Sequence, residues 1–372
     1  MLGQILGSSL GSVEYYTDEG GLSSDPSILP KISKTWQHTC LLEKQDVEYA
    51  KLFVGGKSLG DSCPGELKRD WEDLSQRMEG FFRSFRISKM NNSKLQLSEL
   101  IPDWLKCEFL RVKNEICDGI FRTKKRPDNY AQLSKIHQVV YDLNRNYIGD
   151  KKIVYNMFGT KTGRLVTEKD SFPILNLPKD RRHTVKPSRD FILEIDYNAM
   201  EPRVLLGLNG IEQPDLDVHS WIAKNVFKRG VSREDGKVEL FKWMYGGDGI
   251  ANLKLDKIFN KERILERYYK GGMVVNEYGR EVRCDKKYLA MSYIIQSTSN
   301  DLFFEQVYKV REFLRDRKSK IYFCIHDSLA IDLVEDEVSI IEELLDIFEN
   351  TKFGKFKTKA KLGRNYGELE EV

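Results

Sequence analysis

Long apolar runs are missing from this sequence: none approaches the roughly 20 residues that a membrane-spanning helix needs. The opening residues also lack the basic start of a secretory signal and the arginines of a transit peptide. The six cysteines include no C-x-x-C pair and no cysteine/histidine spacing typical of a metal site. We therefore expect a cytoplasmic protein with reduced thiols, no membrane partner and no thiolate-bound metal.

A strong charge of either sign is missing as well, because 60 lysines and arginines nearly balance 57 acidic residues and leave a net charge of +3. Local basic patches therefore matter more than the total. Three such patches lie at residues 122–126, 179–182 and 352–364. Each patch alone is more typical of a solvated surface than of a nucleic-acid site.

Internal repeats are missing too, and the chain falls into regions of different patterning. With 372 residues and 40% apolar composition, it can bury a sizeable core and predicts two or three subdomains. Residues 1–63 are rich in glycine, serine and proline and predict an irregular N-terminal segment. Residues 64–150 place apolar side chains at helical spacing. Later residues alternate strand-like with helical runs, which predicts an α+β fold.

An aspartate interrupts two short apolar runs in the stretch C-I-H-D-S-L-A-I-D-L. Asp327 would sit there at the tight connection of two antiparallel strands. A lone aspartate in such a turn is more typical of a turn-former that bonds its own backbone. A second acid, Asp196, ends another apolar strand, and two acids at neighbouring strand ends suit Mg²⁺, which prefers oxygen ligands. Phosphoryl transfer is the chemistry that needs this arrangement.

A helix is predicted to begin at Arg233, because Ser232 and Asp235 have the spacing of a capping box. Four residues then recur at every fourth position and share one face: Arg233, Lys237, Phe241 and Tyr245. Two interpretations stay open. The face is either a solvated basic turn followed by core aromatics, or a polyphosphate site in which the ring of Phe241 faces a sugar or base.

The order and spacing of these stretches resemble the family A DNA polymerases, the group of bacterial polymerase I. D-Y-N-A-M-E-P-R from Asp196 is similar to the family's first metal-binding motif, and H-D-S from His326 to its second. R-x-x-x-K-x-x-x-F-x-x-x-Y-G, from Arg233 to Gly246, is similar to its fingers-helix motif. Connecting stretches agree in order: T-G-R-L, P-I-L-N-L-P, D-V-H-S-W-I-A-K-N-V-F and Q-S-T-S-N-D-L. The resemblance covers roughly residues 154–335.

The resemblance implies a right-hand polymerase fold with a palm built on an antiparallel sheet and with helical fingers and thumb. Residues 64–150 would form a thumb-like subdomain, 151–205 the first part of the palm, 206–285 the fingers, and 286–372 the rest of the palm and the C-terminus. The implied enzyme is a DNA-directed DNA polymerase, a nucleotidyltransferase that adds deoxynucleotides to a primer 3′ end on a DNA template.

The resemblance also implies roles for single residues. Asp196, Asp327 and the backbone carbonyl of Tyr197 would hold two Mg²⁺ ions. Lys237 would be a catalytic proton donor. The remaining nucleotide-binding residues would be Arg233 and His219 at the phosphates, Phe241 and Glu201 at the sugar, and Tyr245 at the templating base. The DNA-binding residues would be Arg164, Asn176, Gln296, His326 and Arg203, most of them in the minor groove, which offers acceptors on every base pair.

Departures from the family pattern qualify these expectations. Ser328 replaces a glutamate in the second motif, so we expect altered metal use, and Asn198 and Pro202 depart within the first. Only about 25 residues separate Tyr245 from Gly271, which predicts trimmed fingers. Residues 1–150 do not show the strand pattern of a large α/β exonuclease domain, so proofreading is expected from a separate exonuclease, and a processivity subunit is a further possible partner. This compact form suggests a phage or plasmid source, with the host cytoplasm as the compartment.

Two other classes of protein stay open. A ribonucleotide-tolerant or RNA-synthesising polymerase shares the palm, but Glu201 resembles the steric gate that excludes a 2′-hydroxyl. The alternative interpretation makes Glu201 a surface acid paired with Arg203 or a lysine. A catalytically weak DNA-binding subunit would be expected to lose an aspartate or the cations of the fingers helix, and this sequence keeps Asp196, Asp327, Arg233 and Lys237.

Overall fold

The computed structural model describes residues 2–7, 13–31, 34–35, 49–87, 101–169, 171–215, 217–227, 230–245 and 252–372. Within it the chain divides into two compact units, Met1–Tyr130 and Ala131–Val372. Gly246, the last residue of the predicted fingers-helix motif, lies outside the described residues. In the described ranges, no helix combines the length and the apolar character that crossing a membrane requires.

The first unit begins with a four-stranded sheet of order β3-β2-β1-β4. Its strands are β1 (Leu2–Gly7), β2 (Val13–Thr17), β3 (Gly21–Ser23) and β4 (Lys34–Thr35). The prediction that residues 1–63 are irregular is therefore wrong for these stretches. The strands are too short to show a clear alternation, but β2 reads Val-Glu-Tyr-Tyr-Thr, a β-branched and aromatic run that favours a strand.

Four α-helices follow the sheet in the described part of the first unit. They are α1 (Tyr49–Phe53), α2 (Leu59–Ser62), α3 (Lys68–Ile87) and α4 (Asp103–Thr123). Leu105, Phe109, Ile116 and Ile120 recur at helical spacing along α4, and each is at most 2% exposed. The thumb assignment of this region stays a prediction.

The second unit continues with helices and strands in alternation. Its helices are α5 (Tyr130–Leu143, which begins at the boundary), α6 (Met200–Leu208), α7 (Val218–Ile222), α8 (Arg233–Met244), α9 (Asn252–Phe259), α10 (Lys261–Tyr268), α11 (Ala290–Phe313) and α12 (Ile341–Glu349). Its strands are β5 (Tyr147–Ile148), β6 (Lys151–Lys152), β7 (Tyr155–Asn156), β8 (Val166–Thr167), β9 (Phe191–Tyr197), β10 (Tyr269–Lys270), β11 (Met273–Val275), β12 (Glu281–Arg283), β13 (Lys320–Ile325), β14 (Ser328–Leu333), β15 (Asn350–Thr351), β16 (Gly354–Lys355), β17 (Thr358–Gly363) and β18 (Glu370–Glu371).

A five-stranded antiparallel sheet of order β13-β14-β9-β17-β18 is the centre of the second unit. One of its faces packs against α11 and α12. The ring of Tyr197 on β9 stacks on Phe348 of α12 with centroids 4.4 Å apart, and Phe348 meets Phe303 of α11 at 6.0 Å. The other face presents Glu194 and Asp196 on β9, because side chains alternate along a strand.

A helical layer built from α7 to α10 and the first half of α11 forms a second core. Leu240, Trp243, Phe259 and Ile294 are buried in it together. The helix start predicted at Arg233 is confirmed, with Ser232 as its N-cap. The Ser232 hydroxyl accepts a hydrogen bond from the Asp235 amide at 3.1 Å and donates one to the Asp235 carboxylate at 2.7 Å. These caps fix where the cationic face of α8 begins.

Candidate active site

Two carboxylates meet where β9 ends beside the β13–β14 hairpin. Asp196 lies opposite Ser328, the first residue of β14. Ile325 pairs with Ser328, so His326 and Asp327 form a two-residue turn, which confirms the hairpin predicted from the sequence. The carbonyl of Asp327 accepts a hydrogen bond from the Tyr197 amide at 3.5 Å. The turn is thereby tied to the end of the strand that carries Asp196.

The backbone on both sides of this pair adopts uncommon conformations. His326 has a φ of 54° and Ala199, which precedes α6, has a φ of 58°. Within the described part of the chain, these are the two non-glycine residues whose φ lies in the left-handed region. Such conformations cost free energy and persist where the surrounding structure holds them, which is typical of functional sites.

The two carboxylates carry negative charge that the protein compensates poorly. Burial, followed by repulsion from Asp327 and Glu194, raises the pKa of Asp196 to about 7, and Lys361 and Lys359 oppose this shift. Burial also raises the pKa of Asp327, opposed by its own backbone amide and by His326 and Arg164. A cation between the two side chains would relieve this repulsion.

The donor set fits a hard divalent ion that also binds substrate. Mg²⁺ usually takes one or two protein carboxylates and completes its shell with water and phosphate oxygens. In the part of the chain that the structure describes, no three or more His, Cys, Asp or Glu side chains converge into a metal site. Asp196 and Asp327 therefore suit an ion that keeps open positions.

Glu201, in the first turn of α6, joins three parts of the site. One of its carboxylate oxygens accepts a hydrogen bond from the Arg164 guanidinium and the other from the Tyr245 hydroxyl. Burial, followed by the contact with Glu201, raises the pKa of Tyr245 to about 12. Glu201 is only 12% exposed and its guanidinium partner is Arg164, so the alternative of a surface acid paired with Arg203 is wrong.

The predicted face of α8 is present, and its cations have different surroundings. Arg233 donates from Nε to Asp217 Oδ2 at 2.9 Å and from Nη2 to Oδ1 at 3.1 Å. Although burial opposes it, these bonds and those from Ser220 hold the pKa of Asp217 below its usual range. Lys237 makes no hydrogen bond or ion pair with any residue in the described ranges. Its charge is thus available to a ligand.

Aromatic rings continue the same face of α8. Phe241 and Tyr245 stack in parallel, with centroids 5.8 Å apart and planes 5° apart. His219 of α7 is buried beside them, its ring 6.0 Å from Phe241, and its Nδ1 has no hydrogen-bond partner among the described residues. Burial lowers the pKa of His219, Asp217 opposes the shift, and Lys237 and Arg233 add to it.

A cavity of about 240 Å³ opens beside the carboxylates. Its lining residues are Arg164, Ala199, Met200, Glu201, Pro202, Phe241, Tyr245, Ser299, Asn300, Phe303, His326 and Asp327. Six of the predicted site residues are therefore brought together around one space. The other predicted residues are not part of this lining: Asn176, Asp196, Tyr197, Arg203, His219, Arg233, Lys237 and Gln296. Gln296 still reaches the site, because it hydrogen-bonds Tyr245.

Arg203 is the predicted DNA-binding residue that the structure does not support. It is fully buried at 0% exposure. Its Nε donates to the Asn198 carbonyl at 2.9 Å, and its Nη1 donates to the Pro214 carbonyl at 3.3 Å. A guanidinium that is hydrogen-bonded to backbone carbonyls inside the fold is not available to a phosphate or a base. Arg203 instead ties α6 to the chain segments before and after it.

Three cavity residues on α11 were missed in the sequence. Ser299, Asn300 and Phe303 line the cavity on the same helix as Gln296. Their spacing from Gln296, three, four and seven residues, is that of one helix face. Periodicity applied to the Q-S-T-S-N-D-L stretch was therefore a usable signal.

A buried ion pair between Arg280 and Asp301 supports the loop that carries Arg164, and no local sequence pattern predicts it. Arg280 donates from Nε to Asp301 Oδ2 at 2.9 Å and from Nη2 to Oδ1 at 2.6 Å, and Asp301 is 0% exposed. Gly163 has a φ of 84°, and a Cβ at this position would lie 2.6 Å from the Arg280 guanidinium carbon. The glycine of T-G-R-L thus lets the loop pack on Arg280 and holds the next residue, Arg164, at the site.

Comparisons with known proteins agree with this geometry, although no family model matches the chain. Over 238 residues, the chain is 23% identical to DNA polymerase I of Caldicellulosiruptor bescii, covering 50% of this chain and 28% of that protein. Its fold is similar to the POL domain of Pol1 from M. smegmatis, solved in complex with DNA primer-template and dNTP. The TM-score is 0.51 at 16% identity, covering 76% of this chain and 58% of that one.

The chain resembles polymerase I in sequence and in fold. The resemblance inferred from the motifs is therefore confirmed, as is the right-hand polymerase fold with an antiparallel sheet and many helices. The matched regions span less than two thirds of either protein, 28% and 58% of their lengths.

Proposed function

We propose that this chain is a template-directed DNA polymerase that adds deoxynucleotides to a primer 3′ end. The observation that carries the proposal is the Asp196–Asp327 pair at the sheet end, beside a cavity that α8 lines with aromatic side chains. The similarity to DNA polymerase I and to a polymerase domain bound to primer-template and dNTP supports the same conclusion.

Asp196, Asp327 and the carbonyl of Tyr197 would hold two Mg²⁺ ions. When bound, such ions activate a hydroxyl nucleophile and stabilise the charge of a triphosphate and its leaving group. The protein contributes rigidity here, because strand pairing and the Tyr197–Asp327 hydrogen bond keep both carboxylates in place. Ser328, which stands where the motif that this stretch resembles has a glutamate, leaves the pair without a third acid from this hairpin.

The cations of α8 would bind the triphosphate. Lys237 has no partner within the described ranges, so it is the best candidate for the proton donor to the leaving pyrophosphate. Arg233 is held by Asp217, and a phosphate would compete for the same guanidinium edge. His219 would contribute a hydrogen bond at the same end of the helix.

Sugar selection would depend on Glu201 and Phe241. Glu201 is fixed from two sides by Arg164 and Tyr245, so its side chain cannot easily withdraw from the cavity. A fixed side chain that fills the space of a 2′-hydroxyl discriminates by steric exclusion.

The DNA would lie along Arg164, Asn176, Gln296 and His326. These polar side chains suit minor-groove acceptors that all base pairs share, as general copying requires. Tyr245 would lie near the templating base. Proofreading and processivity would come from separate subunits, so the chain alone should leave a labelled mismatched 3′ end untrimmed in the presence of Mg²⁺.

Primer extension tests the proposal directly. The full chain is mixed with a labelled primer-template, Mg²⁺ and one nucleotide at a time. We expect extension only when the nucleotide complements the template, and a strong preference for deoxynucleotides over ribonucleotides. Binding of the primer-template without any extension would instead favour a DNA-binding subunit, and equal use of ribonucleotides would favour an RNA-synthesising enzyme.

A further inference from the structure

A row of lysines runs along β17, directly beside the two acids of β9. Strand register places Lys359 opposite Asp196 and Lys361 opposite Glu194. Residues directly opposite in an antiparallel pair share one face, with Cβ atoms about 5 Å apart. Both lysines therefore lie on the face of the sheet that carries the proposed catalytic acid.

The alternation along β17 shows why this strand is basic on one face. Ala360, between the two lysines, points to the opposite face and is 7% exposed. Lys359 is 59% exposed, and Lys361 is half-buried. Within the basic patch at residues 352–364, the alternation along β17 therefore places Lys359 and Lys361 on the same face as Asp196.

Neither lysine is paired directly with the acids of β9, although both oppose the rise in the pKa of Asp196. Within the described ranges, neither lysine forms an ion pair with Asp196 or Glu194. Lys359 approaches the exposed Glu371 at 3.7 Å, a surface contact that contributes little. Lys361 has no ion pair or side-chain hydrogen bond in the same ranges. A half-buried ammonium without a partner suits a ligand that brings negative charge.

Glu194 is oriented by other groups and forms no ion pair with Lys361. It accepts a hydrogen bond from the Tyr366 hydroxyl at 2.9 Å and from the Ser328 hydroxyl at 3.2 Å. Both contacts hold its carboxylate with neutral donors. The ammonium of Lys361 is left to a ligand that approaches the face of the sheet that carries Glu194 and Asp196.

We propose that Lys359 and Lys361 bind phosphate groups of the substrate beside the catalytic acids. The inference deepens the proposed polymerase function and rests on it. Phosphates reach this face from two sources, the backbone of the primer-template or the triphosphate of the nucleotide. An ammonium binds either as a point charge without reading sequence.

The test compares two double variants of equal net charge. Lys359→Gln/Lys361→Gln removes the row. Lys318→Gln/Lys355→Gln removes two exposed lysines, at 72% and 62% exposure, whose ion pairs of 3.5–3.8 Å are similar in length to the 3.7 Å pair of Lys359. Binding of a labelled primer-template is measured by fluorescence anisotropy at several salt concentrations, without nucleotide. Thermal unfolding of each variant is measured in parallel.

If the row binds the DNA backbone, the first double variant weakens binding on the order of tenfold at low salt. It also lowers the slope of log K against log salt by about two, since each phosphate contact contributes about one. The control double variant keeps the wild-type slope. If the phosphates are those of the nucleotide, primer-template binding is unchanged, and the apparent KM for dNTP and the inhibition constant of pyrophosphate rise instead.

Either result supports the proposal and identifies the source of the phosphate. The proposal is overturned if the two double variants show equal primer-template binding, equal apparent KM for dNTP and equal inhibition by pyrophosphate. It is also overturned if the first double variant loses thermal stability with no change in binding. If the wild-type chain binds primer-template and the loss of Lys359 and Lys361 changes neither binding nor kinetics, this inference alone is refuted. A wild-type chain that binds no primer-template refutes the polymerase function and this inference together.

Discussion

The end of the five-stranded sheet and the face of α8 supply opposite charges by different physical means. The acids sit on paired strands and a tight turn, where burial, followed by repulsion from Asp327 and Glu194, raises the pKa of Asp196 to about 7. The cations sit on one helix, where Arg233 is 45% exposed and has an exchangeable partner, Asp217. The sheet fixes its groups at an electrostatic cost, whereas the helix keeps its groups accessible.

This difference matters for the proposed phosphoryl transfer, because that reaction depends on positioning and charge stabilisation more than on covalent help. Groups that hold a cation gain from rigidity, because the acids need no reorganisation when the ion arrives. Groups that meet a triphosphate gain from exposure, because the ligand must first displace water and any internal partner. Four substitutions test this division, from the largest expected effect to the smallest.

Asp327→Asn should cause the largest effect, because it removes charge from the rigid half of the site while keeping its shape. We expect primer extension to fall by about a thousandfold or more, with primer-template binding retained. Thermal stability should not fall, since the substitution relieves repulsion with Asp196. Asp336→Asn is the matched control, because that aspartate is 81% exposed in the short 3₁₀-helix that follows β14 of the same sheet. Near wild-type extension by Asp327→Asn would refute the metal-site assignment.

Lys237→Ala tests the accessible half of the site, the cations of α8. Loss of a general acid typically costs about 10²- to 10⁴-fold in rate, so we expect single-turnover incorporation to slow within that range. Lys242→Ala, on the same helix, is the control, because its ammonium pairs with Glu239 at 2.8 Å away from this face. If both variants slow equally, the effect belongs to the helix and not to the position of Lys237.

Glu201→Ala tests the connection between the two halves. The substitution opens the space next to the sugar and releases Arg164 and Tyr245 together. We expect the preference for deoxynucleotides over ribonucleotides to fall by at least about tenfold, with some loss of rate. Tyr245→Phe separates the two causes, because it removes one bond to Glu201 but leaves the steric block. An unchanged sugar preference in Glu201→Ala would refute the steric-gate assignment.

Gly163→Ala tests the support behind Arg164 and should mainly affect stability. A left-handed φ costs an alanine about 1–2 kcal/mol, and the collision with Arg280 adds about 1–3 kcal/mol. Gly149→Ala is the matched control, because Gly149 has a φ of 63° but no atom within 4 Å of the added Cβ. Denaturant unfolding of both variants isolates the contact with Arg280. Equal destabilisation would show that this contact contributes nothing.

Local sequence was sufficient for some of this architecture. The turn at Asp327 and the start of α8 are set by residues within four positions of each other, so their patterns predicted them correctly. Helical spacing alone predicted that Arg233, Lys237, Phe241 and Tyr245 share one face of α8. These features depend on short-range sterics and hydrogen bonds, which a sequence displays directly.

Other features depend on pairs that are far apart in the sequence. Arg164 and Glu201 are 37 residues apart, and Arg280 and Asp301 are 21 apart. Arg203 was predicted to bind DNA, but its guanidinium donates to backbone carbonyls inside the fold. Charge type alone does not distinguish an internal anchor from a DNA contact, because both use the same donors.

The measurement that tests the account most directly is cation binding at the sheet end. Mn²⁺, which takes the same oxygen ligands as Mg²⁺, is titrated by electron paramagnetic resonance into the chain bound to primer-template and dNTP. The account predicts that the wild type holds the ion and that Asp196→Asn/Asp327→Asn loses at least about tenfold in affinity, while still binding the DNA. Equal Mn²⁺ affinity in the two proteins would contradict it.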